Sequence, residues 1–285
     1  MPKVTKKTLN CRGRLVSLDT PVVMGILNVT PDSFFAGSRV SPESTQPNGV
    51  LERAESMLRA GATFLDIGGY STRPGAADVS PAEEADRVLP AIDTILRHVP
   101  NALISIDTFR ASVARQAVEA GACMVNDVSG GNLDADMFST VADLGVPYVL
   151  MHMRGTPQTM QSLSNYTNLV TEVIDELALR LNELRALGAK DIVIDPGFGF
   201  AKTISQNFEL LRELTAFHYF DEPLLVGLSR KTTIWKTLNT TADKALNGTT
   251  VLNTAALLGG ASILRVHDVQ EAVEAIKLTQ PLTFF

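Results

Sequence analysis

Asp107, Asn126 and Asp195 follow directly on short apolar runs and Lys231 lies three residues after one, so each falls where a strand hands over to a loop. Asn28, Asp66, Asp127, His152 and the pair Arg265 and His267 repeat that placement. Asp107, Asn126 and Asp195 could surround a flat, nitrogen-rich heterocycle and accept hydrogen bonds from its amino and ring N–H groups. Each charge-assisted bond of that kind contributes about 1.5–3 kcal/mol. The alternative is that each residue caps the helix after it, which is common at such junctions. Arg265 and His267 alternate onto one side of their strand. Beside the N-terminus of a helix beginning near Asp268, they make an anion site suited to phosphate. The alternative there is a surface salt bridge with Asp268 or Glu271. In Ser229-Arg-Lys-Thr232 the ammonium of Lys231 can polarise a ring carbonyl or stabilise developing charge.

Three loops complete this set. The run from Asp195 to Lys202 is hinged on glycines and offers Phe198 and Phe200 for stacking. Thr72-Arg-Pro-Gly75 is a second, and the Gly-, Ser- and Pro-rich stretch from Ser33 to Asn48 is a third, too long for an idle turn. Long polar loops stiffened by proline suit a lid that closes over two substrates.

The elements that must position these residues follow a repeating unit. Gly61-Ala-Thr-Phe-Leu-Asp66, Gly121-Ala-Cys-Met-Val-Asn-Asp127, Gly145 to His152, Gly188 to Asp195 and Gly260 to Arg265 each read as a helix closing on glycine, then a strand ending in a polar group. Val22 to Asn28, Leu103 to Asp107 and Leu224 to Ser229 share the ending without the glycine. Helical periodicity covers Gly49 to Arg59, Pro81 to Arg97, Arg110 to Ala120, Asp136 to Asp143, Tyr166 to Leu187, Ile204 to Leu214, Leu246 to Leu258 and Val269 to Lys277. Eight strands alternating with eight helices predict a single α/β domain over residues 1–285, a (β/α)8 TIM barrel. A doubly wound open sheet is the alternative. Thr8 to Asp19, with Gly13 at its centre, predicts a short N-terminal hairpin. Such barrels place their chemistry at the C-terminal ends of the strands, so the polar residues above should converge on one mouth.

The composition narrows the classes. A chain of 285 residues, 45% of them apolar, can bury one large core. Its formal charge of −6 carries no basic block, which argues against non-specific nucleic-acid binding. No run of eighteen apolar residues and no signal core follows the charged N-terminus, so a soluble, cytoplasmic protein away from membranes is expected. Cys11 and Cys123 are far apart in the chain with no ligand-spaced partner, which favours neither a disulfide framework nor zinc; Cys123 should pack beside Met124 and Val125.

Met24-Gly-Ile-Leu-Asn-Val-Thr-Pro-Asp-Ser-Phe34, Asp66-Ile-Gly-Gly-Tyr-Ser-Thr-Arg-Pro-Gly75, Ile104-Ser-Ile-Asp-Thr108, Asn126-Asp-Val-Ser-Gly130, Asp195-Pro-Gly-Phe-Gly-Phe200, Gly227-Leu-Ser-Arg-Lys231 and Arg265-Val-His-Asp268 occur in this order. Together they resemble the successive motifs of the dihydropteroate synthases. That resemblance implies a transferase of folate biosynthesis. Its substrates would be 6-hydroxymethyl-7,8-dihydropterin pyrophosphate and p-aminobenzoate, joined to 7,8-dihydropteroate with loss of pyrophosphate and with Mg²⁺. It implies pterin contacts from Asp107, Asn126, Met151, Asp195, Phe200 and Lys231. Asn28, Arg265 and His267 would serve the pyrophosphate, Asn28 also the metal. Phe34, Thr72, Arg73, Pro74 and Thr232 would serve p-aminobenzoate and the loops. Lys231, Arg265, His267 and Asp107 would carry the chemistry. A homodimer through the late helices and inhibition by sulfonamides are further implications. The chain departs from the pattern at Ala36, where a second aspartate is usual, and more mildly at Thr232 (often serine) and Ala201 (often glycine). A non-catalytic pterin-binding paralogue and a pterin-dependent methyltransferase are the competing readings.

Overall fold

A computed structural model describes residues 7–30, 47–70 and 79–282. Its first element is a hairpin of β1 (Thr8–Cys11) and β2 (Arg14–Ser17), antiparallel with Cys11 opposite Arg14. The two-residue turn between them, Arg12-Gly13, has positive φ at both positions, as a tight hairpin of this hand requires.

Eight parallel strands follow: β3 (Val22–Asn28), β4 (Phe64–Gly68), β5 (Leu103–Asp107), β6 (Met124–Asp127), β7 (Tyr148–Met151), β8 (Ile192–Asp195), β9 (Leu225–Val226) and β10 (Ile263–Val266). They are hydrogen-bonded in the order β8-β7-β6-β5-β4-β3-β10-β9, and a bridge from Ile194 to Leu224 brings the two ends together. The predicted barrel is therefore the observed one, and an open doubly wound sheet is not. All five glycines of the repeating unit have positive φ, from +63° at Gly145 to +122° at Gly121. This is the left-handed conformation that ends a helix and turns the chain into the next strand.

The helices around the barrel are α1 (Pro47–Arg59), α2 (Pro81–His98), α3 (Ala111–Glu119), α4 (Met137–Leu144), α5 (Leu169–Ala186), α6 (Ile204–Arg212), α7 (Thr232–Thr237), α8 (Leu246–Leu258) and α9 (Val269–Thr279). Ser80 caps α2 by accepting from the Glu83 N–H, with Pro81 in the first turn, and Thr203 with Gln206 forms a capping box on α6. Two expectations need correcting. The seventh strand shortens to Leu225–Val226, because the chain turns away at Gly227 and passes Arg230 at φ +54°. The six-residue α7 is too short to register as periodicity. Among the described residues no helix is long and apolar enough to cross a membrane.

The hairpin closes the N-terminal end of the barrel. Leu9, Cys11, Val16 and Leu18 pack against one inward side chain from every strand: Met24, Phe64, Leu103, Met124, Val149, Val193, Leu225 and Ile263. Cys123 lies in this plug with Met124 and Cys11, as expected for Met124, while Val125 faces the helices; both cysteines are free. The outward faces of the strands pack against the helices in a separate, larger core. With one end plugged, the polar interior opens at the other.

Candidate active site

The register of the sheet aligns the predicted residues. Asn28 pairs with Gly68, Gly68 with Asp107, Asp107 with Asn126, and Met151 with Asp195. Asn28, Gly68, Asp107 and Asn126 form one continuous row across the mouth, and Met151 and Asp195 stand one inward-facing step further along their strands than Val149, the partner of Asn126. Gly68 supplies no side chain to the row: a Cβ there would lie 3.3 Å from Asn28 Oδ1 and 3.5 Å from the Asp107 Cβ, so glycine lets these two side chains approach.

Helix capping does not account for the three residues. Asp107 leaves α3 alone, whose Ala111 N–H goes to Asp134 Oδ2 at 2.8 Å. The N-terminus of α4 has no side-chain cap from Asn126 or any other residue. Asp195 accepts from the Gly197 N–H at 2.7 Å, while α6 has its own cap in Thr203. Asp127, one residue past Asn126, points the other way. It accepts from the Ser129 and Gly131 N–H groups and from the Tyr148 hydroxyl, and so shapes the loop rather than the mouth.

Arg265 is directed into the barrel. Its Nε donates to Asp66 Oδ2 at 2.6 Å and its Nη2 to Asp107 Oδ2 at 2.5 Å. The Asn126 amide donates to the same Asp66 oxygen at 2.9 Å. The surface alternative is closed off: Asp268 is held by Arg230, through bonds of 2.8 and 2.7 Å. Asp66, expected at a strand end, is fully buried two residues below the rim, because β4 continues to Gly68. It is the anchor that the sequence reading missed.

Burial pushes Asp107 up to about 7, against the pull of Arg265 and helped by the carboxylate of Asp66. Burial alone would loosen the proton of Arg265, but Asp66 and Asp107 outweigh it and hold the guanidinium charged. Burial likewise raises Asp195, opposed by Lys231.

Lys231 approaches from the seventh strand's loop. Its ammonium donates to the Phe198 carbonyl and lies 4.6 Å from the centre of the Phe200 ring. Burial lowers it to about 8, with Asp195 opposing and Arg265 assisting. The stem of Lys231 passes against Gly199, where a Cβ would come within 3.0 Å. Phe198 is fully buried in the outer core and is not available for stacking, so that expectation is corrected; Phe200 flanks the mouth with Met151. His267 is exposed at the rim, its Nδ1 3.0 Å from Ser229 Oγ, and Thr232 is exposed in the first turn of α7. Phe34, Ala36, Thr72, Arg73 and Pro74 lie outside the described residues.

Carboxylates and an amide on one side of the mouth, a guanidinium spanning the carboxylates and a lysine opposite define a TIM-barrel enzyme. Such a site suits an uncharged, N–H-rich ring carrying an anionic group. The family described as "Pterin binding enzyme" matches residues 24–267. The chain is 40% identical to the dihydropteroate synthase of Escherichia coli K12 over 276 residues, 95% of each. Two solved structures superpose on nearly all of it at 38% identity. Yersinia pestis dihydropteroate synthase with a sulfonamide drug does so with TM-score 0.89, covering 96% of this chain and 98% of that one. Xanthomonas albilineans dihydropteroate synthase with 4-aminobenzoic acid does so with TM-score 0.88, covering 98% of each. The chain belongs to the dihydropteroate synthases, the transferases of this pterin-binding family in folate biosynthesis.

Proposed function

We propose that this mouth condenses 6-hydroxymethyl-7,8-dihydropterin pyrophosphate with p-aminobenzoate to give 7,8-dihydropteroate and pyrophosphate. The observation that carries the reading is the shared layer of Asn28, Asp107 and Asn126 with Arg265 bound across it. Asp107, Asn126 and Asp195 accept from the pterin's N–H edge, Met151 and Phe200 wall the ring, and Lys231 donates to it. Arg265 has N–H groups beyond the two that bind Asp66 and Asp107, and these, with His267 and Asn28, address the pyrophosphate.

The chemistry is a dissociative displacement. The C–O bond to pyrophosphate breaks first, and the methylene cation is stabilised by conjugation with the electron-rich ring. The aniline nitrogen of p-aminobenzoate attacks it and then loses a proton. An aryl amine has its lone pair available at neutral pH, so no strong protein base is needed, and closure of the loops excludes the water that would compete. The loop residues Phe34, Thr72, Arg73 and Pro74, with Thr232, serve p-aminobenzoate.

The residues present fit Mg²⁺ as a partner of substrate. Asn28 brings a hard amide oxygen to the rim beside Asp107. Among the described residues no three His, Cys, Asp or Glu side chains form a metal cluster. The ion would therefore take most of its shell from phosphate and water, as Mg²⁺ commonly does. When bound it would offset the charge of the leaving group, with Asn28 as its protein ligand. We place the enzyme in the cytoplasm as a homodimer; exposed Val251 and Leu258 on α8 and Leu278 on α9 support the second point.

A methyltransferase that passes a methyl group from folate to a corrinoid protein has no use for the convergence of Arg265, His267 and the Ser229 to Lys231 loop. The deciding assay supplies the pterin pyrophosphate, p-aminobenzoate and Mg²⁺ and follows pyrophosphate release with dihydropteroate formation. Turnover is expected. Pterin binding without turnover would favour the paralogue and defeat the proposal.

A further inference from the structure

Lys202 ends the loop that carries Asp195 and Phe200, yet it points away from the mouth and is almost completely buried. Its ammonium meets three acceptors: His152 Nδ1 at 3.0 Å, the Gly197 carbonyl at 3.0 Å and the Phe200 carbonyl at 3.1 Å. An ammonium has three N–H donors, so the match is complete. His152 is itself fixed. Burial and the adjacent Lys202 push it down to about 4, so near neutral pH it is uncharged, accepting at Nδ1 and donating from Nε2 to Glu176 Oε2 at 3.0 Å. Arg154 holds Glu176 from the far side. The loop is secured elsewhere too. The Tyr166 hydroxyl donates to the Ala201 carbonyl at 3.0 Å, and the Gly199 N–H donates to Asn207 Oδ1 at 2.6 Å.

We propose that Lys202 is a positioning residue of the pterin pocket. Its three N–H bonds hold the Asp195 to Phe200 loop in binding geometry, and that grip weakens when the side chain gives up its proton. A neutral amine keeps only two N–H donors for three acceptors, so one of the bonds that tie the loop to itself and to His152 is lost. With one bond fewer, the Gly197 to Phe200 turn fixes the Asp195 carboxylate and the Phe200 ring less firmly. Burial lowers Lys202 to about 7, with Asp195 opposing and Lys231 assisting; Glu176 favours the charge, and Arg154 opposes it. His152 and, through the Ala201 carbonyl, the Tyr166 hydroxyl complete its titratable surroundings. The loss of grip then falls in the neutral range rather than far above it.

This inference rests on the reading of Asp195 and Phe200 as pterin contacts. Its test is calorimetric titration of wild type and Lys202→Met with 6-hydroxymethyl-7,8-dihydropterin pyrophosphate, without p-aminobenzoate, from pH 6 to 9. The ratio of the two dissociation constants cancels the titration of Asp107, which occurs in both proteins. The variant should bind about tenfold more weakly at pH 6 and within about twofold of wild type at pH 9. A ratio that stays constant with pH would assign Lys202 a merely structural role and overturn the proposal. Wild type that fails to bind the pterin at all would instead overturn the functional reading beneath it. Should the variant not fold, nuclear magnetic resonance titration of the ε-carbon of lysine in wild type serves. A tenfold preference of the pterin for the charged form raises the midpoint of Lys202 by about one pH unit on binding. No rise would overturn the proposal.

Discussion

Asp66 shows how one buried carboxylate can set the geometry of two recognition groups. Its Oδ2 accepts from both Arg265 and Asn126, and its other oxygen has no partner among the described residues. Asp66→Asn leaves the buried guanidinium with one charged partner instead of two, and we expect a loss of about 3 kcal/mol in urea unfolding. A loss below about 1 kcal/mol would mean that Asp107 alone holds Arg265. His152 supplies a pH signature. Its folded value near 4 lies below the ordinary 6.5, so the unfolded chain binds more protons between them, and this residue makes stability rise with pH across that window. Asp107 acts oppositely. Its value near 7 exceeds the ordinary 3.8, so its contribution is present at low pH and lost as pH rises through 7. The two slopes offset in wild type. In His152→Asn the rising slope of His152 is gone, so stability relative to wild type should drop by roughly 2–3 kcal/mol from pH 4.5 to 6.5; parallel curves would rule this out. Asp107, Asn126 and Asp195 were legible because an apolar run stopping at a polar residue is a local signal. The depth of Asp66 was not, since Ile67-Gly68-Gly69 reads equally as strand or loop. Lys202 was quoted only as the end of a loop, because its partners come from other elements.

Among the elements, the alternation of strands and helices was legible because glycine marks the turn into five of the eight barrel strands. The seventh strand was legible but not its shortness, and α7 was not legible at all, for six residues of helix carry no period. Ala201 illustrates how a loop absorbs a departure from family pattern. Its φ is +48°, a conformation that costs a non-glycine residue about 1–2 kcal/mol, yet its methyl is fully buried beside Met151. Burial of one methyl returns about 0.8 kcal/mol, and the unfolded chain loses less entropy than with glycine, so the terms nearly offset. The hairpin is the element whose purpose the sequence left open. As a plug it should contribute through Leu9, which is fully buried, and hardly at all through Leu15, which is 70% exposed. Leu9→Ala should cost about 3 kcal/mol and Leu15→Ala less than about 0.5 kcal/mol, read from denaturant midpoints. Equal effects would mean that the hairpin does not seal the barrel.

At the scale of the whole molecule, α8 carries apolar side chains on both of its faces. Its inward face buries Thr249 and Asn253 with Ala256 and Leu257, while Val251 and Leu258 are exposed at 57% and 46%. A helix that is apolar on its outer side is ordinarily covered by something. The inward face has a task of its own, since Thr249 Oγ1 accepts from the Arg230 N–H and so tethers the loop that carries Lys231. If a second copy of the chain covers the outer face, association braces α8 and, through Arg230, the seventh loop. Val251→Asp places a charge in that contact and should convert a dimer into a monomer by light scattering. The monomer should keep its fold by circular dichroism but lose turnover by about tenfold, because the tether loosens. Wild type that scatters as a monomer at micromolar concentration would end the dimer proposal. A monomeric variant with full turnover would leave the dimer standing and cut its link to Lys231.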